Sequence, residues 1–273
     1  PEKIGGWIRL SAFKFLGVAR SIWNWSTLTG SNLLGIGTNL KYYIENGGQY
    51  YDITPIVDSS NYSNALSTGF TTLAANVTLT ANTISLTNAA HFVPQNGLIK
   101  IDSEQIYYGT LSGNTISQCV RGYNNTTAAT HTAGANVASA YVLWTDTDND
   151  ANDKDYVIIS NCSVSSVGGV ANTTINGEHQ VFKYASSQDY FLATTSDNNL
   201  ANVVFATSAT TNVANVTIQY EVPSGLDVYT IGNGWGAGPW GRGGWGSGYT
   251  SGIGTQLRLW SNDNFGQDLV IAP

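Results

Sequence analysis

Apolar positions along this chain recur at a spacing of two rather than at the three-and-four spacing of an amphipathic helix. Residues 77–80 (Val-Thr-Leu-Thr) and 83–87 (Thr-Ile-Ser-Leu-Thr) alternate strictly. Short apolar runs bounded by Gly, Asn, Asp and Ser follow at 97–102, 105–108, 115–120, 155–160, 177–184, 190–194 and 213–220. Nearer the N-terminus, 33–37 and 40–44 read as two strands joined at Gly37-Thr38-Asn39, and Asn46-Gly47-Gly48 turns the chain into 49–53. An Asn-Gly pair between alternating runs is a strong hairpin signal. Ala, Leu, Glu and Lys nowhere collect at helical spacing.

The pattern predicts an all-β protein in four segments. Residues 1–57 form the first part of a β-meander scaffold, with Trp7, Trp23 and Trp25 packed in its core or between strands. Residues 58–139 form an inserted small β-barrel or sandwich module, since short strands at this spacing with turn residues between them build such folds. A second inserted β module occupies 140–225. Residues 226–273 hold a Gly/Trp-rich loop and then return to scaffold strands at 257–260 and 268–271; Asn176-Gly177 offers a further turn. The chain opens on Pro1 and has no Met. Either an initiator Met has been removed or the chain is a piece of something longer, and a strand only just begun at 269–273 favours the piece.

Composition narrows the classes. Charged residues make up 11% of the 273, against roughly 25% in an ordinary soluble domain. Eighteen acidic and eleven basic side chains leave a net charge of −7 with no Lys/Arg cluster, which disfavours sequence-specific nucleic-acid binding. No apolar run reaches the roughly 20 residues of a membrane-spanning helix, so no membrane span is expected. Cys119 and Cys162 are too few for a disulfide scaffold or a four-thiolate zinc site.

Candidate chemistry is sparse. Asp146, Asp148, Asp150 and Asn152, followed by Asp153 and Asp155, place hard oxygens in one loop and make a weak calcium candidate. The EF-hand template fails there, finding Ala151 where Gly is needed and Val157 where Glu is needed, so a solvated acidic turn is favoured. His91, His131 and His179 have no nucleophile brought to them by spacing and read as surface or hydrogen-bonded structural residues. Glu104 and Glu178 are the carboxylates a glycosidase pair would use, but no spacing selects them. No enzyme and no cofactor are expected. Trp235, Trp240, Trp245 and Tyr249, in the glycine-rich loop, are either glycan-stacking rings or contacts to neighbouring sheet or a sister subunit.

Three groups of motifs then carry a resemblance. Gly5-Gly6-Trp7, Trp23-Asn24-Trp25, Leu34-Gly35-Ile36-Gly37-Thr38-Asn39 and Tyr51-Asp52-Ile53-Thr54-Pro55 stand at one end; Gly234-Trp235-Gly236, Leu259-Trp260-Ser261 and Asn264-Phe265-Gly266-Gln267-Asp268-Leu269 stand at the other. Between them come Ile101-Asp102, Glu104-Gln105-Ile106-Tyr107-Tyr108, Arg121-Gly122, His131 and Gly134, then a companion stretch around Gly168-Gly169 and Ile175-Asn176-Gly177-Glu178-His179. In this order they resemble virion structural proteins of tailed bacteriophages, of the tail nozzle or tail-tip kind. The resemblance implies a β-propeller-like scaffold, built from both ends of the chain and interrupted by small β modules. It implies a homo-oligomeric ring with other tail proteins around the DNA-ejection conduit, located in the virion tail and without catalysis. A host-adsorption protein binding surface glycan, a fibre protein or a capsid-decorating protein are the alternatives.

Overall fold

A computed structural model of the chain describes residues 11–147, 151–183, 188–195, 199–225 and 258–273. The protein is all-β: among the described residues helix is confined to the single turn Asn172–Ile175 and two 3-10 turns. It divides into two compact units, residues 1–55 with 222–273 and residues 56–221.

The first unit opens with an antiparallel meander of four strands, β1 (Ala19–Ser26), β2 (Asn32–Thr38), β3 (Tyr42–Asn46) and β4 (Gln49–Asp52), in that spatial order. The expected Asn-Gly turn is there. Asn46 pairs with Gln49 across Gly47 and Gly48, whose φ values of 61° and 87° suit the two-residue hairpin loop that needs positive φ at both positions. Neighbouring residues on a strand face opposite sides, so Tyr43 and Tyr42 serve different layers. Tyr43 and Tyr50 receive the Phe15 ring at centroid distances of 6.0 and 5.2 Å. Segment 11–18 is tied down over that face: the Leu16 N–H donates to the Tyr43 hydroxyl at 3.2 Å and the Val18 N–H to Asn39 Oδ1 at 2.7 Å.

Among the described residues the second unit holds fourteen strands. These are β5 (Ile56–Tyr62), β6 (Leu66–Thr72), β7 (Thr83–Ser85), β8 (Gln95–Ile101), β9 (Glu104–Ser112), β10 (Thr115–Ser117), β11 (Asn136–Thr145), β12 (Tyr156–Ser160), β13 (Ser166–Val167), β14 (Val170–Ala171), β15 (Gly177–Lys183), β16 (Asp189–Ala193), β17 (Thr210–Val213) and β18 (Val216–Glu221). Twelve of them make one antiparallel sheet in the order β5-β18-β12-β15-β16-β11-β8-β9-β10-β7, with β6 bridging β11 and β17. Among the described residues it does not close into a barrel.

Two hydrophobic cores lie on either side of the central strands. On β11 the side chains of Tyr141 and Leu143 enter one core, with Leu98, Ile106 and Phe191, while Val142 and Trp144 enter the other, with Val157, Val181 and Ile218. Strand β16 alternates the same way: Phe191 and Ala193 to the first core, Tyr190 and Leu192 to the second. Strands buried on both faces lose the apolar/polar alternation. Strand β11 is not among the strands expected from spacing, although β16, buried on both faces as well, is among them as the apolar run 190–194; β1, β5, β6, β13 and β14 are not among them either. Residues 139 and 140, the expected division between two modules, are consecutive within β11. The 77–80 alternation is not a strand. Val77 forms one isolated bridge with His131, and the Ala81 N–H donates back to Thr78 O at 3.2 Å, closing a turn.

The chain is nested. Ile56 pairs with Glu221 where the second unit begins and ends, and on the first unit's side the Val222 N–H donates to Pro55 O at 3.0 Å. Within the second unit, residues 73–135 leave from Thr72 and return at Asn136, which pair with each other.

Back in the first unit, β19 (Ser261–Phe265) and β20 (Asp268–Ala272) form a hairpin. Its inner side, Leu269 and Ile271, packs with Trp260 around Tyr42 and Val222. The Trp260 ring sits 5.0 Å from that of Tyr42, and its Nε1 donates to Thr38 O at 2.6 Å. Gly37 permits this approach, since a Cβ there would lie 2.4 Å from the indole. The Tyr42 hydroxyl donates to Asn262 Oδ1 at 2.6 Å, and Trp25 Nε1 to Gln267 O at 3.1 Å. The described residues of this unit thus form three layers: segment 11–18, the meander, and the hairpin.

Candidate functional site

Among the described residues the densest polar constellation lies at one end of the nested 73–135 region. Glu104, the first residue of β9, is fully buried, and five nitrogens converge on its carboxylate. Arg121 Nε at 2.8 Å and the Gly122 N–H at 2.9 Å donate to Oε1. Arg121 Nη2 at 2.8 Å and the Ala129 N–H at 3.0 Å donate to Oε2, which also meets His131 Nε2 at 2.8 Å. Burial pushes the Glu104 carboxyl up, but the hydrogen bonds from Arg121, His131 and the Ala129 and Gly122 amides outweigh it and hold the group at about 2. Charge-assisted, bidentate pairing is the strong form of such contacts.

The network reaches outward from there. Arg121 also donates from Nη1 to Thr78 O and from Nη2 to Ala129 O, both at 2.6 Å. His131, with a side chain only 1% exposed, places Nδ1 2.8 Å from Asp102 Oδ2, whose own side chain is 63% exposed. Four pieces of irregular chain are thereby pinned: the 78–81 turn, the β8–β9 turn, the stretch after β10 and residues 129–131. Each carboxylate oxygen and each guanidinium nitrogen of the central pair is already engaged, so what this arrangement does is hold loops together.

The other singled-out residues do not join it. His179, on β15, donates from Nε2 to Ile175 O at 2.8 Å; burial lowers its pKa, keeping the ring neutral. Its Nδ1 is buried without a partner. Glu178 belongs to the ladder between β15 and β12, opposite Ile158. His91 sits at positive φ, 64°, in the turn before β8. Cys119 and Cys162 are free thiols, and burial raises Cys119 to about 11, far from thiolate reactivity at neutral pH.

Of the calcium candidates, Asp148 and Asp150 lie outside the described residues. Asp146 is buried at the end of β11, and its Oδ2 accepts from the hydroxyls of Tyr62 and Tyr220, each at 2.5 Å. Trp144 Nε1 donates to the same Tyr220 oxygen at 3.3 Å. Burial and then the bond to Asp146 raise both phenols well above the ordinary tyrosine range. Asn152 turns to Asp155, donating from its backbone N–H to Oδ2 at 2.8 Å. Trp235, Trp240, Trp245 and Tyr249 also lie outside the described residues, as does Trp7.

In the sequence Glu104 and His131 stand out separately, whereas Asp102 enters only as the end of the 97–102 run and within the resemblance motif, and Arg121 only within that motif. A usable signal was present: four charged or titratable residues within an otherwise charge-poor stretch have little alternative to pairing when the strands between them are apolar. No helix among the described residues is long and apolar enough to cross a membrane. Comparison of the chain with protein-family models, curated proteins and solved structures gives no match.

Proposed function

We infer that this protein is a structural subunit of a virion, a tail component of the nozzle or tail-tip kind that contributes to the conduit for DNA. One observation carries the assembly part of this reading. Among the described residues, ten of the fifteen exposed large apolar side chains belong to the first unit, which holds well under half of the described chain; they include Phe13, Leu28 and Phe265 at 55%, 89% and 83% exposure. Exposed apolar surface concentrated in this way marks a surface that is covered by a partner. The tail assignment rests on the ordered motifs at the two ends of the chain. A four-stranded antiparallel meander is also the sheet from which propeller blades are made.

Electron cryo-microscopy of the virion encoded by the genome that carries this chain's gene tests the reading. A closed ring on the tail axis is the expected result. A peripheral position, with measurable glycan affinity lost in Trp240→Ala or Trp245→Ala, replaces it with the adsorption reading; absence of the chain from the particle overturns both.

A further inference from the structure

The outer layers of the first unit carry complementary surfaces. Ladder partners share a face of a hairpin, so Asp263 stands beside Val270 and Phe265 beside Asp268. Leu269 and Ile271 point inward to the Tyr42 cluster, and alternation sends these four outward. Phe265 is 83% and Val270 52% exposed, and both aspartates are exposed. That face is apolar and acidic. On segment 11–18, Phe15 turns in onto Tyr43 and Tyr50 while Phe13, Lys14 and Leu16 stay in solvent. This face is apolar and carries one exposed cation, Lys14.

The meander lies between them. Segment 11–18 covers the Tyr43 side of β3 and the hairpin covers the Tyr42 side. Two complementary surfaces on opposite sides of one body meet only between copies, and a contact between unlike surfaces is heterologous, closing into rings or running on as filaments. We propose that the first unit binds a second copy of this chain head to tail, with the acidic hairpin face of one copy seated on the Lys14-bearing 11–18 segment of the next. The proposal rests on the assembly reading above and names the surfaces that reading requires.

Sedimentation velocity of the full chain over a concentration series, at low and raised salt, tests it. The wild type associates, and raised salt weakens the association. Lys14→Glu, and separately Asp263→Lys with Asp268→Lys, each weaken it by about tenfold or more, since like charges brought together at an interface are strongly unfavourable. Mixing the two variants in equal amounts restores assembly, because the reversed charges then face each other. All three positions are exposed, so thermal melts match wild type; if the Lys14 variant does not fold, the hairpin variant carries the test alone. Association unchanged in both variants overturns the assignment of surfaces and leaves the assembly reading standing. Weakened variants that do not recover on mixing overturn the head-to-tail pairing. A wild type that stays monomeric throughout overturns the proposal together with the assembly reading.

Discussion

At Glu104 a carboxylate with no access to water is kept ionised by its neighbours, and its energetics follow from that. Removing one partner of a buried pair leaves the other uncompensated, at a cost of about 3–5 kcal/mol. Arg121→Ala is therefore expected to destabilise the second unit by about that amount, read from urea denaturation of the full chain. Acid acts on the same group. Its folded-state pKa, about 2, lies below the ordinary glutamate value of 4.5. The stabilisation is therefore complete above the unfolded value and is lost as pH falls from there through about 2. Stability measured across that window should fall with acidification in the wild type, and fall less steeply in Glu104→Gln. A slope that is the same in both places the acid sensitivity elsewhere. Glu104 and His131 were visible as isolated polar residues, but their contact joins positions 27 apart, and no local spacing rule connects residues so far apart in sequence.

Among the elements, the β3–β4 hairpin and the C-terminal hairpin differ in how they are specified. The first is local. Asn46-Gly47-Gly48 states its turn, and Gly48→Val, forcing a branched side chain to φ 87°, should cost about 1–3 kcal/mol in the stability of the first unit. The second depends on a distant glycine. Gly37→Val would put side-chain atoms where the Trp260 indole and the Ser21 hydroxyl now sit. The expected result is displacement of the hairpin, detected as a shift of the Trp260 indole N–H resonance with the Trp144 indole resonance unchanged. An unmoved Trp260 signal would show that the sheet absorbs the strain instead. Strand β11 shows the opposite limit of legibility. Its run from Val137 to Trp144 is buried throughout, and two-sided burial leaves it no apolar/polar alternation to read.

At the scale of the whole molecule, nesting makes a prediction about independence. The second unit begins and ends on paired residues, Ile56 and Glu221, and has its own cores, so residues 56–221 expressed alone should fold and melt cooperatively. Residues 73–135 also begin and end beside each other, yet their core takes Tyr141, Leu143 and Phe191 from outside that range. Expressed alone, that inner stretch is expected to remain unfolded by circular dichroism. If it melts cooperatively, the shared central strands matter less than their burial suggests.

The sequence by itself determined the class of fold, the hairpin at Asn46-Gly47-Gly48, most of the alternating strands and the scarcity of reactive groups, because each of these is written in neighbours a few residues apart. Tertiary structure alone decided that β11 and β16 divide two cores, that Glu104, Arg121, His131 and Asp102 form one network, that Asp146 serves two tyrosines, and that the hairpin packs over Gly37. All of these depend on contacts between residues distant in the chain, which local periodicity does not encode, and on which face of a strand finds a partner.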